Sequence, residues 1–496
     1  MFSTSCPQCG APVEFRSAAA VTAVCASCRS TLLKQGETIE RTGRVAEVFE
    51  DYSPLQIGVS GLYEHRAFTV LGRIQLQYDA GYWSEWYIAF DDGSFGWLSD
   101  ASGQYAVTVR IERPSALPEF GSVYPGYPLD FDGQRYQLSD TRVAQCAGGE
   151  GELPFRLGDG WVARVADFRR LDRFITLDWS DVDPENADHA SPVVYSGKPV
   201  ELDALSCTGL RDTAQIRESA GRYRGEIKAF SCPSCGASLD VPAGVADFVI
   251  CAACHAGVDC TREQATVFSA ERRVEAFDTA LALGAAATFD GVRYSVLGIM
   301  RCRTTTGAST WDEYLLHSAE RGFMWLVQSE GAWERVDVLN VWPDVSNEHR
   351  VVFEGKPFIA KEPYDAVVVE VAGAFNWRVS VGDYTSIVDF AYRTHKLTQE
   401  SNKHEIIWSR ARPVLNRKMA ERFGDPKLAG SNEPRSETGR GGFLPLPWIF
   451  SVVLLVINVD DIEARWIFVL LGVAALWIPE IIWRMTTHHE SDDESL

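Results

Sequence analysis

Eight of the twelve cysteines fall into two matching patterns, each of which could hold a metal ion. In each pattern two Cys-x-x-Cys pairs are separated by 15 residues, so two tight turns can bring four thiolates onto one ion. Four sulfur ligands are typical of a tetrahedral zinc site, which has no open position for water when filled. The spacing predicts two structural zinc ions, with disulfide pairing as the alternative. The predicted ligands are Cys6, Cys9, Cys25, Cys28, Cys232, Cys235, Cys251 and Cys254.

The second cysteine pattern begins 226 residues after the first, and other motifs repeat at nearly the same offset. The chain is therefore a duplication, and the repeat covers nearly all of residues 1–413. A shorter motif, at 131–136, 289–294 and 353–358, indicates two β-subdomains within each copy. The matched segments of the long repeat include 68–72 with 294–298, 83–87 with 311–315, and 151–156 with 373–378.

The elements that must position the cysteines are predicted to be strands. Aromatic and β-branched residues dominate segments such as 83–90, and turn pairs such as Asp92-Gly93 bound them. The predicted fold class is mainly β: a tandem duplicated zinc ribbon plus barrel-like or sandwich-like unit, followed by a C-terminal α-helical transmembrane hairpin. The predicted domains are a zinc ribbon at 1–40, a β-rich unit at 41–205, a linker at 206–228, a second ribbon at 229–262, a second β-rich unit at 263–415, a basic flexible linker at 416–440, two transmembrane helices at 441–485 and an acidic tail at 486–496.

Two apolar stretches near the C-terminus predict the hairpin. Residues 441–459 carry no charge and residues 466–483 carry one, Glu480. About 20 apolar residues cross a bilayer as a helix, and a buried core hairpin is the alternative. Basic residues precede the first stretch and the connecting turn is acidic, so the positive-inside rule places both ends in the cytoplasm. The sequence thus predicts an integral protein of the bacterial inner membrane, without a signal peptide and with the bulk of the chain in the cytoplasm.

Composition narrows the classes of function. The net charge of −21 at pH 7 argues against nucleic-acid binding, which needs a basic surface. The sequence has no Gly-rich phosphate loop, nucleophile elbow or His-Glu-x-x-His motif, so it predicts no catalytic residue and no cofactor besides zinc. Single thiols such as Cys146 and the scattered histidines are interpreted as structural. Two tryptophan pairs, Trp83 with Trp97 and Trp311 with Trp325, either line a binding groove or belong to a barrel core.

These motifs together resemble a bacterial family catalogued as domain of unknown function 4178, present twice. The resemblance rests on the repeated segments named above and covers about residues 40–200 and 265–413. The second copy departs from the pattern at Asn376, where the first copy has Pro154, and at Lys356-Pro357. The resemblance implies a β-rich module that is often linked to zinc ribbons and membrane segments, with relatives encoded beside polyamine-synthase-like and small membrane proteins. It implies no established activity and no catalytic residue.

The sequence leaves two functional hypotheses open. In the first, the chain is a membrane-anchored, cytoplasm-facing zinc-ribbon scaffold that binds a protein partner within a membrane-associated complex. In the second, it is an enzyme or a regulatory subunit with a site in a β-domain cleft, and the resemblance implies a link to polyamine metabolism. Buried Asp, Glu or His clustered in a pocket would favour the second hypothesis. An exposed apolar patch would favour the first. The sequence identifies no small-molecule ligand.

Overall fold

A computed structural model gives the fold of the protein. All residues that it describes belong to one unit of the chain, Met1–Ser431, and the other unit, Asn432–Leu496, lies outside them. The described residues are 2–17, 20–28, 30–35, 38–44, 53–79, 81–101, 103–112, 117–155, 161–180, 191–212, 214–216, 222–223, 226–227, 230–239, 248–260, 266–269, 278–318 and 321–430.

The first ribbon has five short strands: β1 (Phe2–Ser5), β2 (Pro12–Phe15), β3 (Thr22–Val24), β4 (Ser30–Gln35) and β5 (Thr38–Arg44). β1 pairs with β2, and β3, β4 and β5 follow one another in an antiparallel arrangement. The first cysteine pair lies between β1 and β2, and the second lies between β3 and β4. Both pairs therefore occupy turns between paired strands, which is the position that their spacing favours.

The first β-rich copy contains ten strands: β6 (Ser60–Tyr63), β7 (Arg66–Gln77), β8 (Tyr82–Phe90), β9 (Phe95–Ala101), β10 (Gln104–Ile111), β11 (Pro128–Phe131), β12 (Gln134–Leu153), β13 (Val162–Arg170), β14 (Arg173–Asp178) and β15 (Val193–Val200). Eight of them form a closed antiparallel barrel in the order β7-β8-β9-β10-β15-β14-β13-β12, and β12 pairs back with β7. The long strand β12 pairs with β13 through its first half and with β7 through its second half. The interior of an eight-stranded barrel holds either packed side chains or one small ligand.

Each barrel consists of two similar halves. In the first copy, β7–β10 form one four-stranded half and β12–β15 form the other. Each half opens with a hairpin arm, β6–β7 or β11–β12. The short repeated motif marks such an arm: Asp132 and Gly133 have φ of 49° and 68°, the left-handed conformation that a tight hairpin turn requires. The predicted subdomains are therefore half-barrels that share one closed sheet and one interior.

Glycines allow the strands to approach where the barrel closes. A Cβ on Gly72 would lie 1.9 Å from the carbonyl oxygen of Glu152. A Cβ on Gly151, which has φ +70°, would lie 2.3 Å from the carbonyl oxygen of Leu71. Gly373, with φ +86°, occupies the same crossing in the second copy. A larger residue at these positions would force β7 and β12 apart, so the glycines of the repeated motifs serve barrel closure.

The second ribbon and barrel repeat this plan. A separate strand pair, β16 (Arg222–Tyr223) and β17 (Glu226–Ile227), precedes the second ribbon in the chain. The ribbon strands are β18 (Phe230–Ser231), β19 (Ser238–Leu239), β20 (Phe248–Ile250) and β21 (Gly257–Asp259), and β22 (Thr266–Ser269) pairs with β21. The β-rich copy contains β23 (Ala286–Phe289), β24 (Val292–Thr304), β25 (Thr310–Ser318), β26 (Gly322–Ser329), β27 (Ala332–Val338), β28 (Asp344–Asn347), β29 (Arg350–Phe353), β30 (Lys356–Ala360), β31 (Tyr364–Phe375), β32 (Tyr384–Tyr392), β33 (His395–Ser401) and β34 (Ile406–Val414). Its barrel order is β24-β25-β26-β27-β34-β33-β32-β31, closed by the pairing of β31 with β24.

Large apolar clusters lie on the outer faces of the barrels. In β8, the buried side chains of Trp86 and Ile88 pack with Val59, which precedes the β6 arm. The alternate residues Trp83 and Glu85 face the interior, because successive side chains of a strand point to opposite faces. The barrel wall is therefore covered with apolar residues from outside, while polar and aromatic side chains face inward.

An α-helix, α1 (Asn416–Phe423), follows the last barrel strand. Met419 is fully buried, and the ring of Phe423 lies 6.3 Å from that of Phe289, so α1 packs against the second barrel. The structure thus differs from the predicted flexible linker over 416–430, because the apolar residues among the basic ones form one buried helix face. Positions 431–440 lie outside the described residues. Short 3-10 helices span Phe120–Ser122, Leu202–Leu205 and Pro426–Ala429.

The predicted transmembrane hairpin and inner-membrane location require correction. Within the described part of the chain, no helix has the length and apolar character needed to cross a membrane. Helix α1 has 8 residues, whereas a spanning helix needs about 20. The segments on which the prediction rested, 441–485 and the tail 486–496, lie outside the described residues. The fold class supported by the structure is mainly β, with two four-cysteine clusters.

Candidate functional site

Two turns of the first ribbon bring four sulfur atoms together. The Sγ atoms of Cys6 and Cys28 are 3.6 Å apart, and those of Cys9 and Cys25 are 3.7 Å apart. All four sulfurs lie within 4.8 Å of one another. A disulfide needs a separation of about 2.05 Å. A tetrahedral ion with bonds of about 2.3 Å separates its sulfur ligands by about 3.8 Å. The cluster therefore has the geometry to bind one metal ion.

The second ribbon has the same geometry. The sulfurs of Cys232 and Cys254 are 3.6 Å apart, and those of Cys235 and Cys251 are 3.7 Å apart. His255 has φ 58°, and its backbone N–H donates to the carbonyl of Cys251 at 2.8 Å, so this histidine completes the turn. The structure brings all eight predicted ligands together in two sets of four.

Each ribbon is continuous with the barrel that follows it. β3 pairs with residues 151–153 at the end of β12, and β20 pairs with β31 in the same way. In the first copy, the Glu152 carboxylate accepts hydrogen bonds of 2.8 Å from the backbone N–H groups of Arg16 and Ser17. Burial raises the pKa of this carboxyl, although the two backbone donors counteract the effect. The repeated 151–156 motif thus contains the edge on which the ribbon docks.

The interiors of the two barrels, called the first and second lumens, line one continuous cavity of about 1910 Å³. Among the acidic residues that line this cavity, three in each barrel come from matching strands: β8, β13 and β14 in the first barrel, and β25, β32 and β33 in the second. A cavity with a few convergent polar groups is the usual setting of a ligand site. The carboxylates are Glu85, Asp167 and Asp178 in the first lumen and Glu313, Asp389 and Glu400 in the second.

The carboxylates of the first lumen are held by neutral donors. Glu85 accepts hydrogen bonds from Trp83 Nε1 at 2.9 Å and from Ser99 Oγ at 2.7 Å. Burial raises the pKa of Glu85 to about 8, and the negative charge of Asp167 adds to this shift. Thr176 donates to Asp167 at 2.7 Å, and burial raises the pKa of Asp167 to about 6. Neutral donors lower both pKa values, and the charges of Arg169 and Arg142 also lower that of Asp167, but burial outweighs these effects.

The second lumen repeats this arrangement. Glu313 accepts a hydrogen bond from Trp311 Nε1 at 2.6 Å, and Thr398 donates to Asp389 at 2.7 Å. Burial raises the pKa of Glu313. Burial also raises the pKa of Glu400 to about 8, and the charge of Glu313 adds to it. The same Trp–Glu and Thr–Asp pairs thus occur in both copies.

The second lumen also contains a cation. Lys396 Nζ lies 2.6 Å from Glu334 Oε2. Burial lowers the pKa of Lys396, but the charges of Glu334 and Asp389 outweigh it and raise the pKa overall. Both members of the pair keep part of their surface open to the cavity, with side-chain exposures of 34% and 28%.

Aromatic side chains line much of the remaining surface. In the first lumen, the rings of Trp97 and Phe155 are 6.0 Å apart, and Phe155 stacks on Trp161 at 4.8 Å. In the second lumen, the rings of Trp325 and Trp377 are 5.3 Å apart. The tryptophan pairs named in the sequence analysis therefore line the cavity and also pack within the apolar part of each lumen.

The two copies contact each other beside the cavity. Arg142 Nη2 lies 2.6 Å from Glu405 Oε2 of the second copy, and its Nε lies 3.2 Å from Asp140. The backbone N–H of Thr141 donates to the carbonyl of His404 at 3.0 Å. Arg142 is almost fully buried, so this contact joins the walls of the two lumens.

The comparison with protein families agrees with the duplicated barrel. The model of a family described as Domain of unknown function (DUF4178) matches residues 56–202 and 282–416, which together exceed half of the chain. The chain belongs to the DUF4178 family. The resemblance noted in the sequence is confirmed, and each DUF4178 match falls on one barrel, from its first arm to its last strand. No curated protein matches the chain.

Repeated segments of the sequence contain residues that line the lumens of the DUF4178 barrels. The segments do not indicate that these residues share a cavity. Glu85 and Glu313 lie in the repeated segments 83–87 and 311–315, and the pair Asp167-Phe168 recurs as Asp389-Phe390. The available signal was an identical acidic residue at aligned positions of two copies, inside strands that contain several apolar or aromatic residues. Such a residue is costly to bury in a packed core, so its repetition points to a polar interior.

Proposed function

We propose that this DUF4178 protein is a non-catalytic ligand-binding protein: its two lumens hold small molecules, and two zinc ions fix the ribbons to the barrels. The observation that carries the proposal is a cavity lined by the same Trp–Glu and Thr–Asp pairs in both copies. Ionised carboxylates are costly to hold in a barrel interior without a partner. A bound molecule that meets these groups accounts for their presence in both lumens.

The zinc assignment rests on the donor set and its geometry. Four cysteine sulfurs favour zinc or an iron–sulfur cluster over hard cations, and the separations of 3.6 and 3.7 Å suit a single tetrahedral ion. Because a filled four-thiolate site has no open position, the ion stabilises the ribbon and does not activate water. The ribbon in turn supports the edge of the barrel through β3 and Glu152.

Acid–base catalysis is a second candidate, favoured by the carboxyls with raised pKa in the cavity. Glu85 and Glu400 each have a pKa of about 8, which would let them donate and accept a proton near neutral pH. Clustered buried acids are also the feature that the sequence analysis associates with an enzyme. Recovery of a bound molecule unchanged after incubation supports binding, and its conversion by the wild type but not by the Glu85→Gln variant supports catalysis.

Native mass spectrometry of the full chain, purified without denaturation, tests the proposal. We expect two zinc ions and a bound small molecule, with the small molecule lost in the Glu85→Gln, Glu313→Gln double variant. Glu14→Gln, at an exposed glutamate, is the matched control. An Ala106→Cys variant should react with a small thiol reagent, since Ala106 lines the first lumen. A chain without a bound molecule whose cysteine at this position is inert would refute the proposal.

A further inference from the structure

We infer that the first lumen binds the carboxylate of a small molecule at the guanidinium of Arg169. The inference rests on the proposed small-molecule binding. It adds the chemical class of the ligand, the residue that meets it and the number of such sites, which is one per chain. Its basis is a cation that has a carboxylate partner in the second lumen and lacks one in the first.

Both lumens have a basic residue at one pair of neighbouring positions, but on different strands. In the first barrel, Arg169 on β13 pairs with Phe174 on β14. In the second barrel, the equivalent pair is Ala391 on β32 and Lys396 on β33. The pairs are equivalent because Arg169 and Ala391 each follow the aspartate of the repeated Asp-Phe pair by two residues. Each lumen therefore holds one cation at this place in its wall.

The chain supplies a partner for that cation in only one copy. Lys396 Nζ lies 2.6 Å from Glu334 Oε2. Ala106 stands at the position of Glu334, since each lies two strands from the glutamate of the Trp–Glu pair and in register with it. Alanine has neither the length nor the charge of glutamate. The wall of the first lumen thus contains the cation without the carboxylate that accompanies it in the second.

The Arg169 guanidinium makes few polar contacts. Its Nη1 lies 3.5 Å from the carbonyl oxygen of Asn340, which is the outer limit of a hydrogen bond. Its central carbon lies 4.9 Å from the centre of the Phe174 ring and 6.0 Å from that of Trp342. In the part of the chain that the structure describes, no carboxylate oxygen lies within 4.0 Å of an Arg169 nitrogen. A guanidinium has five N–H donors, so this one retains donors for a ligand.

The nearby acids do not take the place of a direct partner. Asp167 accepts a hydrogen bond from Thr176 at 2.7 Å, and Asp140 lies 3.2 Å from Arg142. The charges of the two aspartates raise the pKa of Arg169, but burial has the larger effect and lowers this pKa overall. Burial of a charge is costly unless an opposite charge meets it directly. A ligand anion at the guanidinium would supply that contact.

A carboxylate suits this place better than other anions. The planar guanidinium fork binds the two oxygens of a carboxylate side by side. A carboxylate is also the partner that the second copy supplies to Lys396. Because the pKa of Glu85 is about 8, this carboxyl is mostly protonated at pH 7 and can donate a hydrogen bond to an anion. A phosphate dianion would bring a second negative charge into a lumen that already holds Asp167.

The surrounding wall offers a further donor and an apolar surface. Thr108 on β10 lines the lumen and is 5% exposed, and among the described residues its hydroxyl has no hydrogen-bond partner. Val336 stands at this position in the second copy. The rings of Trp97 and Phe155 provide faces for the apolar part of a ligand. The ligand class is therefore a carboxylate attached to an apolar body.

Isothermal titration calorimetry with sodium phenylacetate at pH 7 tests the inference. We expect one site per chain. Arg169→Gln removes the charged donor and should weaken binding at least about tenfold. Arg170→Gln is the matched control, since Arg170 lies on the opposite face of β13 and its loss should leave the affinity unchanged. Phenylacetamide has the same shape without the charge, so the wild type should bind it at least about tenfold more weakly than phenylacetate.

The second lumen gives a reciprocal test. Glu334→Ala leaves Lys396 without its carboxylate, which is the condition of Arg169 in the first lumen, so this variant should bind a second phenylacetate. Glu14→Gln, at an exposed glutamate, should keep one site. A stoichiometry of one in folded Glu334→Ala would refute the comparison of the two copies on which the inference depends.

Equal affinities of the wild type for phenylacetate and phenylacetamide would overturn the inference, as would tighter binding of phenyl phosphate. So would the absence of phenylacetate binding in a protein whose Ala106→Cys variant is labelled by a small thiol reagent. If native mass spectrometry finds a neutral or cationic molecule in the lumens, the proposed function stands and the carboxylate inference fails. Zinc content and circular dichroism establish folding of each variant, and the comparison of ligands on the wild type decides the question if Arg169→Gln does not fold.

Discussion

Replacing Glu85 with glutamine should stabilise the ligand-free protein at high pH. The pKa of Glu85 in the fold is about 8, against 4.5 for an ordinary glutamate, chiefly because burial disfavours the charged form. Between these pH values the folded state holds a proton that the unfolded state has lost. The contribution of Glu85 to stability is therefore greatest below pH 4.5, falls as the pH rises to 8, and is constant above. Glutamine has nearly the same shape as glutamate and does not ionise. The variant therefore does not lose this contribution to stability as the pH rises.

The size of the expected change in stability follows from the pH interval between the ordinary and the raised pKa of Glu85. Each pH unit corresponds to about 1.4 kcal/mol, so the whole window amounts to about 5 kcal/mol at most, and the part above pH 6 to about 3 kcal/mol. The carboxyl is only half-buried and faces the cavity, so water screens its charge. We therefore expect a change of about 1.5 kcal/mol between pH 6 and pH 9.

Urea unfolding of the wild type and the Glu85→Gln variant at pH 6 and pH 9, with free zinc held constant, measures this change. Other lumen acids with raised pKa are present in both proteins, so the difference between the two reports Glu85 together with its coupling to Asp167. The Glu14→Gln variant, whose glutamate is 50% exposed, should follow the wild type at both pH values. An advantage of Glu85→Gln that stays constant or shrinks toward pH 9 would refute the raised pKa and the enclosed lumen from which it derives.

Other perturbations test the ribbons and the barrel wall. Metal analysis should find two zinc ions in the wild type and one in Cys9→Ser or Cys235→Ser, and a wild type with fewer would contradict the zinc assignment. Glu152→Gln should speed amide exchange in the first ribbon, because loss of the charged acceptor costs about 1–3 kcal/mol locally, and unchanged exchange would contradict this docking contact. Gly197→Ala should lower the free energy of unfolding by more than about 2 kcal/mol, since its Cβ would lie 1.8 Å from the Val107 carbonyl oxygen, and normal melting would contradict that approach.

The cysteine sites were predictable because their chemistry is local. Two intervening residues and a following glycine, Gly10 or Gly236, both at positive φ, are enough to define the first turn of each site. Because the chain is duplicated, the sequence also predicts that the second site resembles the first. The lumens were not predictable in the same way: Glu85 and Asp167 lie far apart in the sequence and share a cavity because β12 pairs back with β7. Nothing in either motif specifies that closure.

The C-terminal predictions differ from the structure for a related reason. High charge and Gly/Pro content are typical of a segment that is surrounded by water, and these features predict a linker over 416–430. Met419 and Phe423 lie four positions apart, which places them on one face of a helix, and the second barrel supplies the surface that buries this face. Whether such a face finds a partner depends on the rest of the fold.

Spacing and residue type alone determine the two four-cysteine clusters, the duplicated plan and the β class, because thiolate convergence, tandem similarity and alternation are properties of neighbouring residues. Tertiary structure alone decides which face of each strand is the lumen. A strand with aromatic residues on both faces, such as β8, is compatible with either assignment. The hairpin arms cover the outer face, and barrel closure encloses the other, so carboxylates from separate strands share one cavity.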